Sequence, residues 1–439
     1  GAPTGARGGR HGRGRVGKLS MAYALGVILF AVGILVSVCL HEAGHMYTAK
    51  AFGMKVTRYF VGFGPTLWSF RRGETEYGLK AIPAGGFVKI VGMTPQEDDV
   101  ADGDEPRAFW RQKVWKRTIV LSAGSITHFV LGFLLLYVAL VGFGIAQAKP
   151  RNEVPAVVGS VSACVPVTES QPQPGKDGLC GAGSVAGPAK AAGLKLGDRI
   201  TAIGGTPTPN VEAFMHVVRQ TPAGPTQVTY TRAGQTRTAT VDLTAVERVP
   251  LDAPPDSKAR EKVSAIGIGP QVPTETVRYG PVDGLGEAAS VTGTFFRGTF
   301  TAIGKFPAKV PKLLTALTGG QRDPETPISV VGASRIGGEI VDVQGYQGAA
   351  LLLSILASLN IFIGIFNLFP LLPLDGGHIA VVWFERVRSF VAARLGRPDP
   401  GTVDYNKLMP LTYAVVLVFG VISVLTIATD VVNPVRLFQ

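Results

Sequence analysis

His41-Glu42-Ala43-Gly44-His45 sets two imidazoles and a carboxylate at a spacing suited to hydrolysis at a metal. On a helix the histidines fall one turn apart on one face, where both can grip a single Zn²⁺. Glu42 is then placed as general base toward a water at that metal. A catalytic zinc takes three protein ligands and keeps one position open, so a third ligand must come from elsewhere. Asp375 stands out for that part. It follows an apolar run in Asn367-Leu368-Phe369-Pro370-Leu371-Leu372-Pro373-Leu374-Asp375-Gly376-Gly377-His378. A charge at such depth is costly and functional by default, and a zinc ion is a natural partner for it. The two prolines leave backbone carbonyls unpaired, which a membrane tolerates only where a cavity or site is built. Gly376 and Gly377 permit close backbone approach.

The element that must carry the histidine motif is apolar. Met21 to Leu40 hold no charged side chain, so the chemistry sits on a membrane-spanning helix. Charged residues make up only 17% of the chain against 46% hydrophobic ones, which fits several membrane helices. The pattern predicts four spans, each near the roughly 20 residues a bilayer requires. They run from about Met21 to Ala49, Thr118 to Gln147, Gly348 to Phe369 and Leu408 to Thr429. His41 comes about 20 residues into the first span, about 30 Å along it. The metal is therefore expected close to the cytoplasmic face.

The net charge of +12 does not indicate nucleic acid, because the basic residues cluster beside the spans. Lys50, Lys55, Arg58, Arg71, Arg72, Lys113, Lys116 and Arg117 lie between the first two. Arg386, Arg388, Arg394, Arg397 and Lys407 lie between the last two. The positive-inside rule puts both loops in the cytoplasm. The region from about 148 to 346 then faces outward with both termini. The Gly/Arg/Ala-rich tail, residues 1–20, is expected to be disordered. Its arginines conflict with that topology, so either Met21 is the working start or the tail is genuine and tolerated. Cys164 and Cys180 fall in the outward region, where they are expected to pair. The closed loop would contribute roughly 3 kcal/mol in the chain-entropy model; two free thiols are the alternative. Cys39 reads as a small apolar residue of the first span.

The fold class expected is a polytopic α-helical membrane protein with a small membrane-associated β-sheet and an inserted α+β domain. Residues 21–147 carry the first two spans. Within them, 57–91 hold short alternating runs broken by glycine, which read as strands of a curved sheet. Such a sheet is either a plain structural hairpin or an edge on which an extended substrate adds a strand. Residues 150–248 contain Ala192-Gly193-Leu194-Lys195-Leu196-Gly197-Asp198-Arg199-Ile200-Thr201-Ala202-Ile203-Gly204-Gly205. An amphipathic stretch and two strands follow, and the whole resembles a PDZ domain. Residues 255–345 read as a linker with a strand and an amphipathic membrane-surface segment. Pro307 and Pro311 are expected to interrupt that segment. Residues 346–439 carry the last two spans.

H-E-x-x-H on the first span, N-x-x-P-x-x-P-x-D-G on a later one and a PDZ-like region between two pairs of spans resemble the site-2 protease family of intramembrane zinc metalloproteases. The layout is most similar to bacterial regulators of the sigma-E type. Gly62-Phe63-Gly64-Pro65, Gly85-Gly86-Phe87-Val88-Lys89 and Arg322-Asp323-Pro324-Glu325-Thr326-Pro327-Ile328-Ser329-Val330-Val331-Gly332 point to its actinobacterial, mycobacterial-like branch. The resemblance implies that His41, His45 and Asp375 bind Zn²⁺ and that Glu42 is the catalytic base. It implies that Asn367 handles substrate, with Asn360 on the same face. Gly85, Gly86, Phe87 and Val88 would pair with an unwound substrate helix. It further implies a multi-pass plasma-membrane enzyme that cuts single-span substrates already trimmed by a first protease, often anti-sigma factors, with signal-peptide remnants as a further class. One departure is notable. Relatives often show A-G-P-x-x-N at the start of the second span, where this chain has Ala123-Gly124-Ser125-Ile126-Thr127-His128. His128 either substitutes for the usual Asn or packs as a plain helix residue.

Two other function classes remain to be weighed. A metal transporter would need a second set of ligands to form a path, and the sequence offers none. A catalytically idle PDZ scaffold would lack Glu42 or a ligand, and all are present.

Overall fold

Helix α1 (Met21–Ala51) begins where the Ser20 hydroxyl accepts the Tyr23 N–H, an N-cap that satisfies a free backbone donor. Its buried residues Gly26, Phe30, Ser37, His41 and His45 form one stripe. Leu25, Ile28, Leu29, Val32 and Val36 point outward. That is the reverse of a soluble helix: small and polar groups, with Phe30, face the protein, and a row of large apolar ones is left on the outside. The structure is a computed structural model. It describes residues 20–93, 100–101, 103–168, 180, 183–253, 257, 259–320, 322–323, 326–435 and 437. The basic tail, most of the acidic loop 94–105 and most of the Gly/Pro/Ser-rich stretch 171–187 lie outside these residues.

The chain divides into two units, residues 1–145 with 278–439 and residues 146–277. In the first, α1 is followed by a sheet of β1 (Val56–Arg72) and β2 (Thr75–Ile90). Val61 pairs with both Leu79 and Gly86, so the sheet folds back on itself. Side by side run 66–72, 75–80, 56–61 and 86–90. The three short runs expected from the sequence are thus two long, bulged strands. Glycines at 62, 64 and 85 take positive φ and bend the strands rather than ending them. Residues 86–88 form no second ladder on their outer side among those described.

Helix α2 (Val114–Val138) continues as a π-turn to Phe143, then gives way to a strand at Ile145–Ala148. The second span therefore ends before Gln147. Arg117 on α2 makes a buried 3.0 Å ion pair with Glu385, and Glu385 also accepts the Val403 N–H.

The second unit holds helices α3 (Pro188–Ala191) and α4 (Val211–Gln220), the latter capped by Asn210. Its sheet runs in the order 261–265, 235–248, 224–232, 199–203, 206–207. Leu194, Ile200, Ile203, Phe214, Val228, Tyr230 and Val241 form the core. Asp198 accepts two 2.7 Å hydrogen bonds from Arg232 and one from the Lys195 N–H. Cys164 and Cys180 are joined by a disulfide, Cα–Cα 5.5 Å. The unit extends past residue 248. Glu261–Ala265 pairs with the long strand at 235–248, and Ile268–Pro270 pairs with Val158–Val161.

The remainder of the first unit departs most from expectation. Helix α5 (Pro281–Leu317) runs unbroken through Pro307 and Pro311, where the sequence predicts an interruption. It packs on spanning helices; Phe296 meets Phe129 of α2 with ring centroids 4.9 Å apart. Helix α6 (Val330–Gln344) lies along α1 instead of forming a surface linker. A Cβ on Gly26 would stand 2.5 Å from Gly337 O, so the two backbones touch, a small-residue contact typical of membrane helices. Arg335, Glu339 and Asp342 lower its hydropathy and hide it from a pattern reading. Arg322 and Asp430 form a buried 2.7 Å ion pair, and Asp430 also accepts the Ser329 N–H. This fastens the Arg322–Gly332 string to helix α9 (Met409–Val432). Between α6 and α9 lie α7 (Ala349–Asn367) and α8 (Asp375–Arg394). Met21–Ala51, Val114–Phe143, Val330–Asn367 and Met409–Val432 are each long and apolar enough to cross a bilayer.

Candidate metal centre

α1 delivers His41 and His45 from successive turns to one buried point, and the first residue of α8 delivers Asp375 to the same point. His41 Nε2 and His45 Nε2 are 3.1 Å apart. Each lies 3.4 Å from Asp375 Oδ2. Donors about 2.1 Å from a tetrahedral ion stand about 3.4 Å from one another, so this triangle has the size of one face of a zinc site.

The chemistry of the donors supports the same fit. His45 Nδ1 lies 2.7 Å from the Val120 carbonyl oxygen. That oxygen can only accept, so Nδ1 carries a proton and Nε2 is the ring nitrogen left to meet a metal. Asp375 Oδ2 is buried with no hydrogen-bond donor of its own. Lone pairs converging in a buried space are costly unless a cation sits among them.

Glu42 projects beside this triangle toward the sheet. A Cβ on Gly86 would lie 3.3 Å from Glu42 Cγ, and the Val88 backbone N–H interacts with the Glu42 carboxylate. The strand at 86–88 therefore runs past the carboxylate. Asn367 is the half-buried last residue of α7, eight positions before Asp375. An apolar pocket of about 320 Å³ is lined by Phe129, Phe296, Phe300, Leu368 and Phe369 among others, of which Leu368 follows Asn367 in the chain.

Asn360, which the sequence reading put at the substrate, is 1% exposed and its amide is engaged at both ends. Nδ2 donates to Leu356 O at 2.8 Å, and Oδ1 faces His128 Nδ1 at 2.8 Å. His128 in turn has its ring 4.9 Å from that of His41. The sequence reading missed Gly124 altogether. A Cβ there would stand 2.5 Å from His45 Nε2 and 2.6 Å from His41 Nδ1. A signal was available, since Gly124 and His128 both fall in the segment that departs from A-G-P-x-x-N.

Residues 29–395 match the model of Peptidase family M50. The chain belongs to this family. It is 42% identical to Zinc metalloprotease Rip1 of Mycolicibacterium smegmatis, over 95% of this chain and 100% of the relative. It is also 42% identical to Zinc metalloprotease Rip1 of Mycobacterium tuberculosis, over the same shares. A more distant relative from Nostoc is 28% identical over 94% of this chain. Together with the four apolar helices, these likenesses make the chain a multi-pass membrane protein of the site-2 protease type.

Proposed function

We propose that this chain, a zinc metalloendopeptidase of the site-2 protease type, cuts single-span membrane proteins at a site built from His41, Glu42, His45 and Asp375. The observation that carries this reading is the three-donor triangle with Glu42 lying between it and the strand at 86–88. A zinc ion held there would supply an acidified water and polarisation of the scissile carbonyl. His41, His45 and Asp375 hold it, and the Val120 carbonyl keeps the His45 ring in the required tautomer. Glu42 takes a proton from the attacking water and returns it to the leaving amine.

A helical substrate has its amides tied up in its own hydrogen bonds and must unwind before attack. The edge at Gly85, Gly86, Phe87 and Val88 offers backbone groups to the unwound segment, which adds as a strand. Asn367 steadies that segment next to the metal. The apolar pocket beside Phe129, Phe296 and Phe300 receives one of its large side chains.

The protein sits in the plasma membrane with the site near the cytoplasmic face and the 146–277 unit outside, as a PDZ domain. The Cys164–Cys180 disulfide supports that placement, since such bonds persist in oxidising compartments. Its substrates are anti-sigma factors already trimmed by a first protease, with signal-peptide remnants as a second class, and the PDZ domain excludes untrimmed molecules.

The test uses purified protein in detergent, a trimmed single-span substrate and zinc assays on the same samples. Wild type should cut and hold one zinc. Glu42→Gln should hold zinc and cut nothing. Asp375→Ala should lose both. A wild type that binds substrate and zinc without cutting would favour the scaffold reading, and a Glu42→Gln protein that still cuts would remove Glu42 from the mechanism.

A further inference from the structure

His41 differs from His45 in one respect. His45 Nδ1 is satisfied by the Val120 carbonyl, while His41 Nδ1 is buried without a hydrogen-bond partner. Metal-binding histidines almost always donate their second ring N–H, because that bond sets tautomer, orientation and basicity. A partner for His41 is therefore expected, and α2 is where it should come from. The two rings lie one turn apart on α1. Val120, Gly124 and His128 follow one another at single-turn intervals along one face of α2. His45 Nδ1 meets the first of these residues. His41 Nδ1 faces the second, 2.6 Å from where a Cβ would stand on Gly124. Gly124 has no side chain to offer, and His128 is the next side chain on that face.

His128 is prepared for the role. Asn360 Nδ2 donates to Leu356 O, which fixes the amide and turns Oδ1 toward His128 Nδ1. An amide oxygen only accepts, so His128 Nδ1 carries the proton and the neutral ring keeps a lone pair on Nε2. The imidazole is 1% exposed, so water does not compete freely for that lone pair. Its ring centroid is 4.9 Å from that of His41, at an interplanar angle of 41°. Rings at this separation bring edge nitrogens into hydrogen-bond range once they face each other.

We infer that His128 is a positioning residue for the metal centre: its Nε2 accepts the Nδ1–H of His41, and Asn360 holds His128 in the tautomer that allows it. The chain Leu356 O, Asn360, His128, His41 thus orients the first histidine as the Val120 carbonyl orients the second. The inference rests on the zinc-site reading above.

The test measures zinc affinity by chelator competition on the full-length protein in detergent, with the absorption spectrum of the Co²⁺-loaded protein and the thermal stability of the metal-free protein alongside. His128→Leu should weaken zinc about 10- to 100-fold and alter the Co²⁺ bands. His128→Gln keeps an amide acceptor and should recover most of the affinity. Asn360→Leu releases the tautomer and should shift affinity in the same direction as His128→Leu, by less. A His128→Leu protein that binds zinc within twofold of wild type, with an unchanged Co²⁺ spectrum, overturns the inference. So does a loss of metal-free stability that Gln fails to rescue, since that marks a packing residue. A wild type that holds no zinc would instead remove the site reading itself.

Discussion

Gly124 passes directly beneath His45: a Cβ on the glycine would lie 2.5 Å from the imidazole Nε2. The α2 backbone is thereby brought so close to the donor triangle that only hydrogen fits at this position. The same approach lets the Val120 carbonyl reach His45 Nδ1.

Gly124→Ala should accordingly push both imidazoles out of register. A displacement of about 1 Å at a reacting centre costs about 100-fold in rate, and zinc affinity should fall with it. Zinc content and substrate cleavage measured on one preparation check this. Full occupancy with normal turnover would mean that α2 can draw back without cost.

Asn367 and Asp375 flank the break between α7 and α8 but should fail differently. Asn367→Ala should retain zinc and lower turnover about 100-fold, the usual loss when one polar group at a reacting carbonyl is removed. Asp375→Ala should lose the metal. Equal zinc loss in both variants would assign Asn367 to the metal rather than to substrate.

The buried Arg117–Glu385 pair ties α8, and with it Asp375, to α2. Arg117→Met alone strands a buried carboxylate and should destabilise the protein by about 3–5 kcal/mol. The double variant Arg117→Met, Glu385→Met should recover much of that. Denaturant titration in detergent reads both, and a double variant no better than the single one would locate the cost elsewhere.

Asp198 carries a pH signature. Its hydrogen bonds from Arg232 hold the carboxyl below the usual carboxylate range, and the Lys195 N–H acts in the same direction. The folded pKa is therefore below the unfolded one. Its contribution is complete above about pH 4 and is lost as pH falls below that toward the folded value. Hydrogen exchange at the Ile200 and Tyr230 amides of the full-length protein should show a wild-type advantage over Asp198→Asn at pH 6 that shrinks near pH 3. An advantage of constant size would mean that the carboxylate charge contributes nothing.

Much of the molecule is legible without coordinates because the signals are local. The absence of charge from Met21 to Leu40, the one-turn spacing of His41 and His45, and the strand patterns in 227–232 and 237–243 are each short-range consequences of backbone period and solvent. Membrane helices are especially readable, since a bilayer penalises every charged side chain along the span. Helix α6 escaped for the same reason in reverse. Arg335, Glu339 and Asp342 break the apolar signal, and what holds the helix is the Gly26–Gly337 contact, which has no hydropathy. The uninterrupted course of α5 through Pro307 and Pro311 likewise depends on neighbours that no local rule contains.

The sequence by itself determined which chemistry this chain could perform: two histidines and a glutamate on one helix, and a deep aspartate far along the chain. Only the tertiary structure decided how these groups meet. Asp375 reaches the histidines because α8 starts at that point and is fastened to α2 by Arg117 and Glu385. Asn360 turns its amide oxygen to His128, and Gly124 proves to be the floor of the site. These are distances between helices separated by many residues in sequence. They are set by which side chains are small enough to let two backbones touch and by which buried polar atoms find partners, and neither quantity can be read from one segment at a time.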